Sequence, residues 1–303
     1  MDPLNFLYED YHSRQKFLES SNSRLVHYTD YKALFSIVEN QELWLRRLTR
    51  MNDFKEFDFG LQLVRNYMSR RAIQMDELKT KHKLDLMGML HPSSSLPWEN
   101  LKKSAYCFSL SEHHQNEFQD GRLSMWRGYS SPSGVGLVID DSILEDSDVH
   151  SPLYPLPVRY FSQTQLDEFL DPLVNRLISL PANSISVEDG SNLGFQIFML
   201  ICSLKHPGFS EEREWRLIFK QDDLVEGIIA IVPKLLGRSA EPVAVFDLSE
   251  GSRSIYEIGS LLKSVIIGPT LNQSDAKDAV ELKLRIANLH DVPVFTSSTP
   301  YRA

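Results

Sequence analysis

Residues 209–219, Phe-Ser-Glu-Glu-Arg-Glu-Trp-Arg-Leu-Ile-Phe, place charges inside what otherwise reads as a buried strand. A strand turns successive side chains to opposite faces. Glu212, Glu214, Arg216 and Ile218 are therefore expected on one face, with Arg213, Trp215, Leu217 and Phe219 on the other. A carboxylate on the inner face of a sheet is costly unless it is paired or chemically employed. The segment thus either holds an ion-pair network around Arg216 or carries an active site.

The rest of the chain supplies the sheet that such a strand needs. Short apolar runs at 25–29, 43–48, 104–109, 134–139, 157–161, 227–232, 242–246, 264–268 and 292–295 read as further strands. Helical spacing appears after Asp30, a candidate N-cap, and over 60–90, 163–180, 193–205 and 275–289. Asp171-Pro172 is expected to break and restart the third of these, because proline is tolerated in the first turn of a helix and not in its interior. Strands and helices mix without strict βαβ alternation, so the expected class is α+β with a mixed, largely antiparallel sheet. At 303 residues, 42% of them hydrophobic, the chain has material for a substantial core. The expected division is a helical arm over 1–23 and one α+β domain over 24–303, with helical insertions at 60–92 and 163–205. Gly134 and Gly136, within one strand, suggest close approach of a neighbour or ligand.

A formal charge of −9 argues against a general electrostatic grip on nucleic acid. The most basic stretch, Arg65 to Lys83, reads either as a solvated helix face or as a local patch for an anionic partner. Cys107 and Cys202, the two cysteines, each lie in an apolar run, which suits buried thiols in a reducing compartment. The start of the chain lacks the basic and apolar segments of a signal peptide, and the longest apolar segment is too short to span a bilayer. The expectation is a cytoplasmic protein with no membrane partner. Neither a glycine-rich dinucleotide fingerprint nor a P-loop is present.

Reactive side chains fall in three separated pieces: His27 with Thr29 on the first strand, Tyr129 in the turn Met-Trp-Arg-Gly-Tyr, and Glu212 with Glu214. This pattern resembles the His, Tyr, Glu arrangement of the ADP-ribosyltransferase superfamily. The ordered landmarks are His27-Tyr28-Thr29, Met51-Asn52-Asp53 with Glu56, Cys107-Phe108-Ser109, Met125-Trp126 with Tyr129 and Gly134-Val135, Glu212-x-Glu214-Trp215-Arg216, Ile266-Ile267-Gly268-Pro269 and Pro300-Tyr301-Arg302. Together they are similar to a bacterial family known as domain of unknown function 2971. The first resemblance implies an ADP-ribosyltransferase-like fold, NAD as substrate without a metal, and transfer of ADP-ribose to a macromolecular acceptor, nucleic acid or protein. A toxin or antiphage effector with an antitoxin or defence-system partner would follow from the same analogy.

The chemistry matches the residue types. Breaking the ribose–nicotinamide bond develops an oxocarbenium-like cation, which a fixed carboxylate stabilises as it forms. The resemblance implies Glu214 in that role, Glu212 at the acceptor, His27 on a ribose hydroxyl and Tyr129 against the nicotinamide. It further implies contacts to NAD from Tyr28, Thr29, Asn52, Ser109 and Trp126, and from Arg46 or Arg47 to the pyrophosphate. Strand alternation turns only one of those two arginines to a given face. Each residue also has an ordinary structural role: a satisfied strand histidine, core aromatics, carboxylates paired with Arg216, a helix cap at Asp53. Two other functions remain open, a catalytically silent binding domain of the same fold and a metal-dependent nuclease using His27, Asp53, Glu212 and Glu214.

Overall fold

The computed structural model describes residues 4–50, 56–90, 98–129, 134–145, 151–236 and 239–300. Its strands are β1 (Arg24–Thr29), β2 (Glu42–Arg47), β3 (Ala105–His113), β4 (Val135–Ile139), β5 (Tyr154–Pro157), β6 (Glu214–Lys220), β7 (Ile229–Leu236), β8 (Ser239–Asp247), β9 (Leu262–Ile267) and β10 (Val294–Thr296). Its helices are α1 (Phe6–Ser20), α2 (Tyr31–Asn40), α3 (Glu56–Arg70), α4 (Ala72–His82), α5 (Leu86–Met89), α6 (Trp98–Ser104), α7 (Leu123–Tyr129), α8 (Gln163–Ser179), α9 (Val187–Ser203), α10 (Ile258–Leu261) and α11 (Gln273–Ile286). The chain divides into two compact units, one of Met1–Arg14, Leu48–Ala105 and Leu156–Ser210, the other of Gln15–Arg47, Tyr106–Pro155 and Glu211–Ala303. No helix among the described residues is long and apolar enough to cross a membrane.

The first unit is helical. Its long helices bury stripes at three- and four-residue spacing, such as Leu61, Val64 and Met68 on α3 and Leu166, Leu170 and Leu173 on α8. Gly60 sits where α3 meets α9: a Cβ there would lie 2.5 Å from the Ile201 carbonyl oxygen. Capping boxes start α8 at Ser162–Gln165 and α9 at Ser186–Asp189. Contrary to expectation, α8 runs unbroken through Pro172. Asp171, just before the proline, accepts bonds from Tyr67 Oη and Arg71, while Leu170, Leu173 and Val174 are buried around it. Packing on both sides of the proline outweighs the one backbone bond it removes. The basic stretch of α3 and α4 is spent inside this unit: Arg70 pairs with Asp167, Arg71 with Asp171 and Lys79 with Asp85, while Arg65 and Lys81 donate to the carbonyls of Leu90 and Ile178.

The second unit is built on the sheet, with strand order β10-β9-β4-β1-β3-β2-β8-β7; β6 pairs with β3, and β5 with β6. β1 pairs antiparallel with β3 and β4, β2 with β3 and β8, β4 with β9 and β7 with β8, whereas β10 runs parallel to β9, so the class is α+β with a mostly antiparallel sheet. β1 lies between β3 and β4, its apolar residues Leu25 and Val26 fully covered. Asp30 ends the strand and caps α2, accepting the Ala33 N–H at 2.7 Å.

β3 changes neighbours along its length. Tyr106 and Cys107 pair with β2, whereas Ser111, Glu112 and His113 pair with β1. Ser109 lies between the two paired stretches.

Candidate functional site

β6 begins at Glu214, two residues later than alternation alone suggests. Glu212 closes a 3-10 turn over Pro207–Glu212, and Arg213 between them takes a positive φ of 44°, a conformation that costs a side-chain-bearing residue energy. The two glutamates therefore are not neighbours on one strand face. β6 is covered on both faces, and Arg216 is only 2% exposed.

Glu214 is gripped from two directions. Arg216 donates through Nε to Oε1 at 2.8 Å and through a terminal nitrogen to Oε2 at 2.9 Å, and the Ser109 hydroxyl donates to Oε1 at 2.6 Å. The side-on fork orients the carboxylate as well as neutralising it.

His27 meets the same serine from the other side. Its Nδ1 lies 2.8 Å from the Ser109 carbonyl oxygen; a carbonyl only accepts, so Nδ1 carries the proton and Nε2 presents a lone pair. The half-buried ring stacks on Phe108 with centroids 4.1 Å apart. Burial lowers its pKa to about 4, with the Ser109 bond opposing, so the ring is neutral at pH 7. Thr29 shares its strand face by alternation.

Tyr28 points the other way. It is buried with Val26, Met125, Trp126, Val138 and Ile266, and Tyr129 packs on that cluster. Its hydroxyl accepts the Arg122 N–H at 2.8 Å and donates to His113 Nε2 at 2.8 Å. Burial pushes its ionisation well above the ordinary tyrosine range. His113, 0% exposed, is lowered to about 3 by burial and then by the Arg122 charge.

Trp126 fills a slot cut by glycines. A Cβ on Gly121 would lie 2.6 Å from the indole, one on Gly268 2.9 Å, and one on Gly136 3.4 Å; the indole N–H donates to the Asp120 carbonyl. The close neighbours at Gly136 are thus Val26, whose Cγ1 a Cβ would approach to 3.0 Å, and then this ring. Three residues further on, the Tyr129 hydroxyl donates to Glu212 Oε1 at 2.9 Å.

The structure joins His27, Ser109 and Glu214 through one residue, and Tyr129 to Glu212 through a direct bond. Tyr28 and Trp126 lie in the packed cluster. On β2, Arg46 pairs with Glu241 at 3.3 Å, and Arg47 donates to the Tyr106 hydroxyl while lying over its ring. Asn52 and Asp53 lie outside the described residues. Among the described residues, no group of three or more His, Cys, Asp or Glu has the arrangement of a metal site.

Sequence reasoning missed Arg122 and Glu117. Glu117 accepts from Arg122 Nε at 2.9 Å and from Arg213. Burial alone would raise its pKa, but the Arg122 bond and the His114 N–H outweigh that and hold it at about 2. The available signal was weak, an arginine placed just before a short helix.

No curated protein and no solved structure matches the chain. Residues 125–217 match the model of a family described as a protein of unknown function (DUF2971). That segment, less than half of the chain, runs from the Met125-Trp126 landmark through Glu212-x-Glu214-Trp215-Arg216, and over it the chain is similar to the DUF2971 family.

Proposed function

We propose that this protein is an NAD-dependent ADP-ribosyltransferase that acts on a macromolecule, nucleic acid or protein, in the setting of a bacterial toxin or antiphage effector. The observation that carries this reading is the double use of Ser109, whose carbonyl fixes the His27 tautomer and whose hydroxyl holds Glu214. A neutral His27 with its Nε2 lone pair suits a ribose hydroxyl as donor. Glu214, kept in one orientation by Arg216 and Ser109, suits a site where positive charge develops on the sugar. Glu212, bonded to the Tyr129 hydroxyl, suits proton removal from an acceptor. The acidic character of the chain fits an acceptor recognised by a local site rather than by a general field.

The Arg216 clamp also favours a second reading, a catalytically silent nucleotide- or partner-binding domain in which Glu214–Arg216 is a structural ion pair. One experiment separates the two. Nicotinamide release from NAD is measured for purified wild type and Glu214→Gln, with and without cell lysate as acceptor source. The transferase reading expects turnover that falls at least about 100-fold in the variant. Absence of turnover, with no NAD-induced rise in melting temperature, would leave the silent domain.

A further inference from the structure

The acidic segment between the turn and β6 is pinned at three successive carbonyls. Arg122 donates to the Glu211 carbonyl, the Ser111 hydroxyl donates to that of Glu212 at 2.7 Å, and the Glu112 N–H donates to that of Arg213 at 2.8 Å. Ser111 is itself held by Arg122 at 3.2 Å, and the Glu112 carbonyl accepts from Arg122 at 2.8 Å. With Nε and a terminal nitrogen on Glu117, all five guanidinium N–H groups of Arg122 are engaged. The side chain is 7% exposed. Glu117 in turn takes the Arg213 guanidinium, so the one residue with positive φ in this segment is tethered at both backbone and side chain.

Arg122 also immediately precedes α7, whose last residue is Tyr129. Its backbone N–H is fixed on Tyr28 Oη. One residue therefore ties the helix that carries Tyr129 to the segment that carries Glu212.

We infer that Arg122 is a positioning residue that holds the Glu211–Arg213 turn in its left-handed conformation and thereby sets the Tyr129–Glu212 pair and the start of β6 at Glu214. A lysine in its place keeps the charge but cannot donate in five fixed directions. Once its grip is removed, the strain at Arg213 has no counterweight and the turn relaxes. The inference concerns the shape of the acidic segment, so it stands or falls independently of NAD cleavage.

Amide hydrogen exchange on the full chain tests it in Arg122→Lys, Arg122→Gly and Ser111→Ala, the last removing one pin with the guanidinium left in place. The expected result is a rise of about 10-fold or more in exchange over residues 211–214, with β4 and β9 keeping their protection. Free guanidinium at millimolar concentration should restore protection in Arg122→Gly and leave Arg122→Lys unchanged. Exchange at 211–214 that stays at the wild-type rate in Ser111→Ala and in whichever Arg122 variant folds overturns the inference. So does a rise spread equally over β4 and β9, or an Arg122→Gly variant that guanidinium does not rescue.

Discussion

Each unit buries an ion pair, and the two pairs are made differently. In the helical unit Lys205 meets Glu56 at 2.8 Å, with side chains 2% and 8% exposed and about 150 positions of sequence separating them. In the sheet unit Arg216 meets Glu214 at 2.8 Å, equally buried but only two residues away on the same strand. The first pair can staple distant chain segments together. The second closes no loop, because adjacent positions on one strand face are already held by the backbone. What the second pair adds is the orientation of a carboxylate that Ser109 also reaches. Burial alone does not separate a staple from a site; the two pairs differ in the sequence distance spanned and in the third partner.

Glu56→Gln breaks the staple and leaves a buried ammonium without its counter-charge. The expected loss is about 3–5 kcal/mol of unfolding free energy, read by denaturant titration, with nicotinamide release per folded molecule unchanged. A release rate that falls with Glu56 would erase the distinction between the pairs.

Glu214→Gln is expected to cost about 2–4 kcal/mol, less than the staple because the amide oxygen still accepts from Arg216 and Ser109. Here release is expected to collapse with the charge. If stability falls and a measurable release does not, the second pair is a staple too.

The acid limb of stability sharpens the comparison further. His27 and His113 titrate at about 4 and about 3 in the folded chain, against an ordinary 6.5. The unfolded chain therefore takes up their protons first: the folded state keeps its full advantage above pH 6.5 and loses it progressively as pH falls from 6.5 through 4 toward 3. Glu117, held at about 2 against 4.5, acts in the same direction over the lowest part of that range. The expected loss between pH 7 and pH 4 is on the order of a few kcal/mol. Melting curves of His113→Gln should show a shallower pH slope than wild type, and an unchanged slope would remove His113 from the account.

Tyr129→Phe is the mildest of these changes. Losing one partly buried bond to Glu212 costs about 0.5–1.5 kcal/mol, while nicotinamide release should fall by more than that stability loss explains. Equal retention of both would reduce Tyr129 to packing.

What was legible in the sequence was local. The strand expected at 25–29, the Asp30 cap and the strand expected at 134–139 follow from spacing within a few residues, and the structure forms them as β1, the cap of α2 and β4. The start of β6 was not legible, because Arg213 leaves the strand conformation under bonds from Glu112 and Glu117, about a hundred residues earlier. The unbroken α8 was missed for the same reason: Asp171 answers to Tyr67 and Arg71. The pattern brought His27 and Glu214 together as reactive types, but nothing in it made Ser109 the residue between them. That role depends on β3 exchanging one neighbour for another.

The indole slot has an evolutionary side. Three glycines define its walls, but they do not constrain future sequences equally. At Gly121 a side chain meets both the ring and a φ of +69°, and at Gly268 it would collide with the Gly134 carbonyl as well as the ring. At Gly136 the nearest obstacle is the tip of Val26, at 3.0 Å, a side chain that can shrink. Relatives of this chain that carry a smaller residue at the position of Val26 should therefore accept a side chain at the equivalent of Gly136 and keep glycine at the other two, a correlated exchange that an alignment of such relatives would reveal.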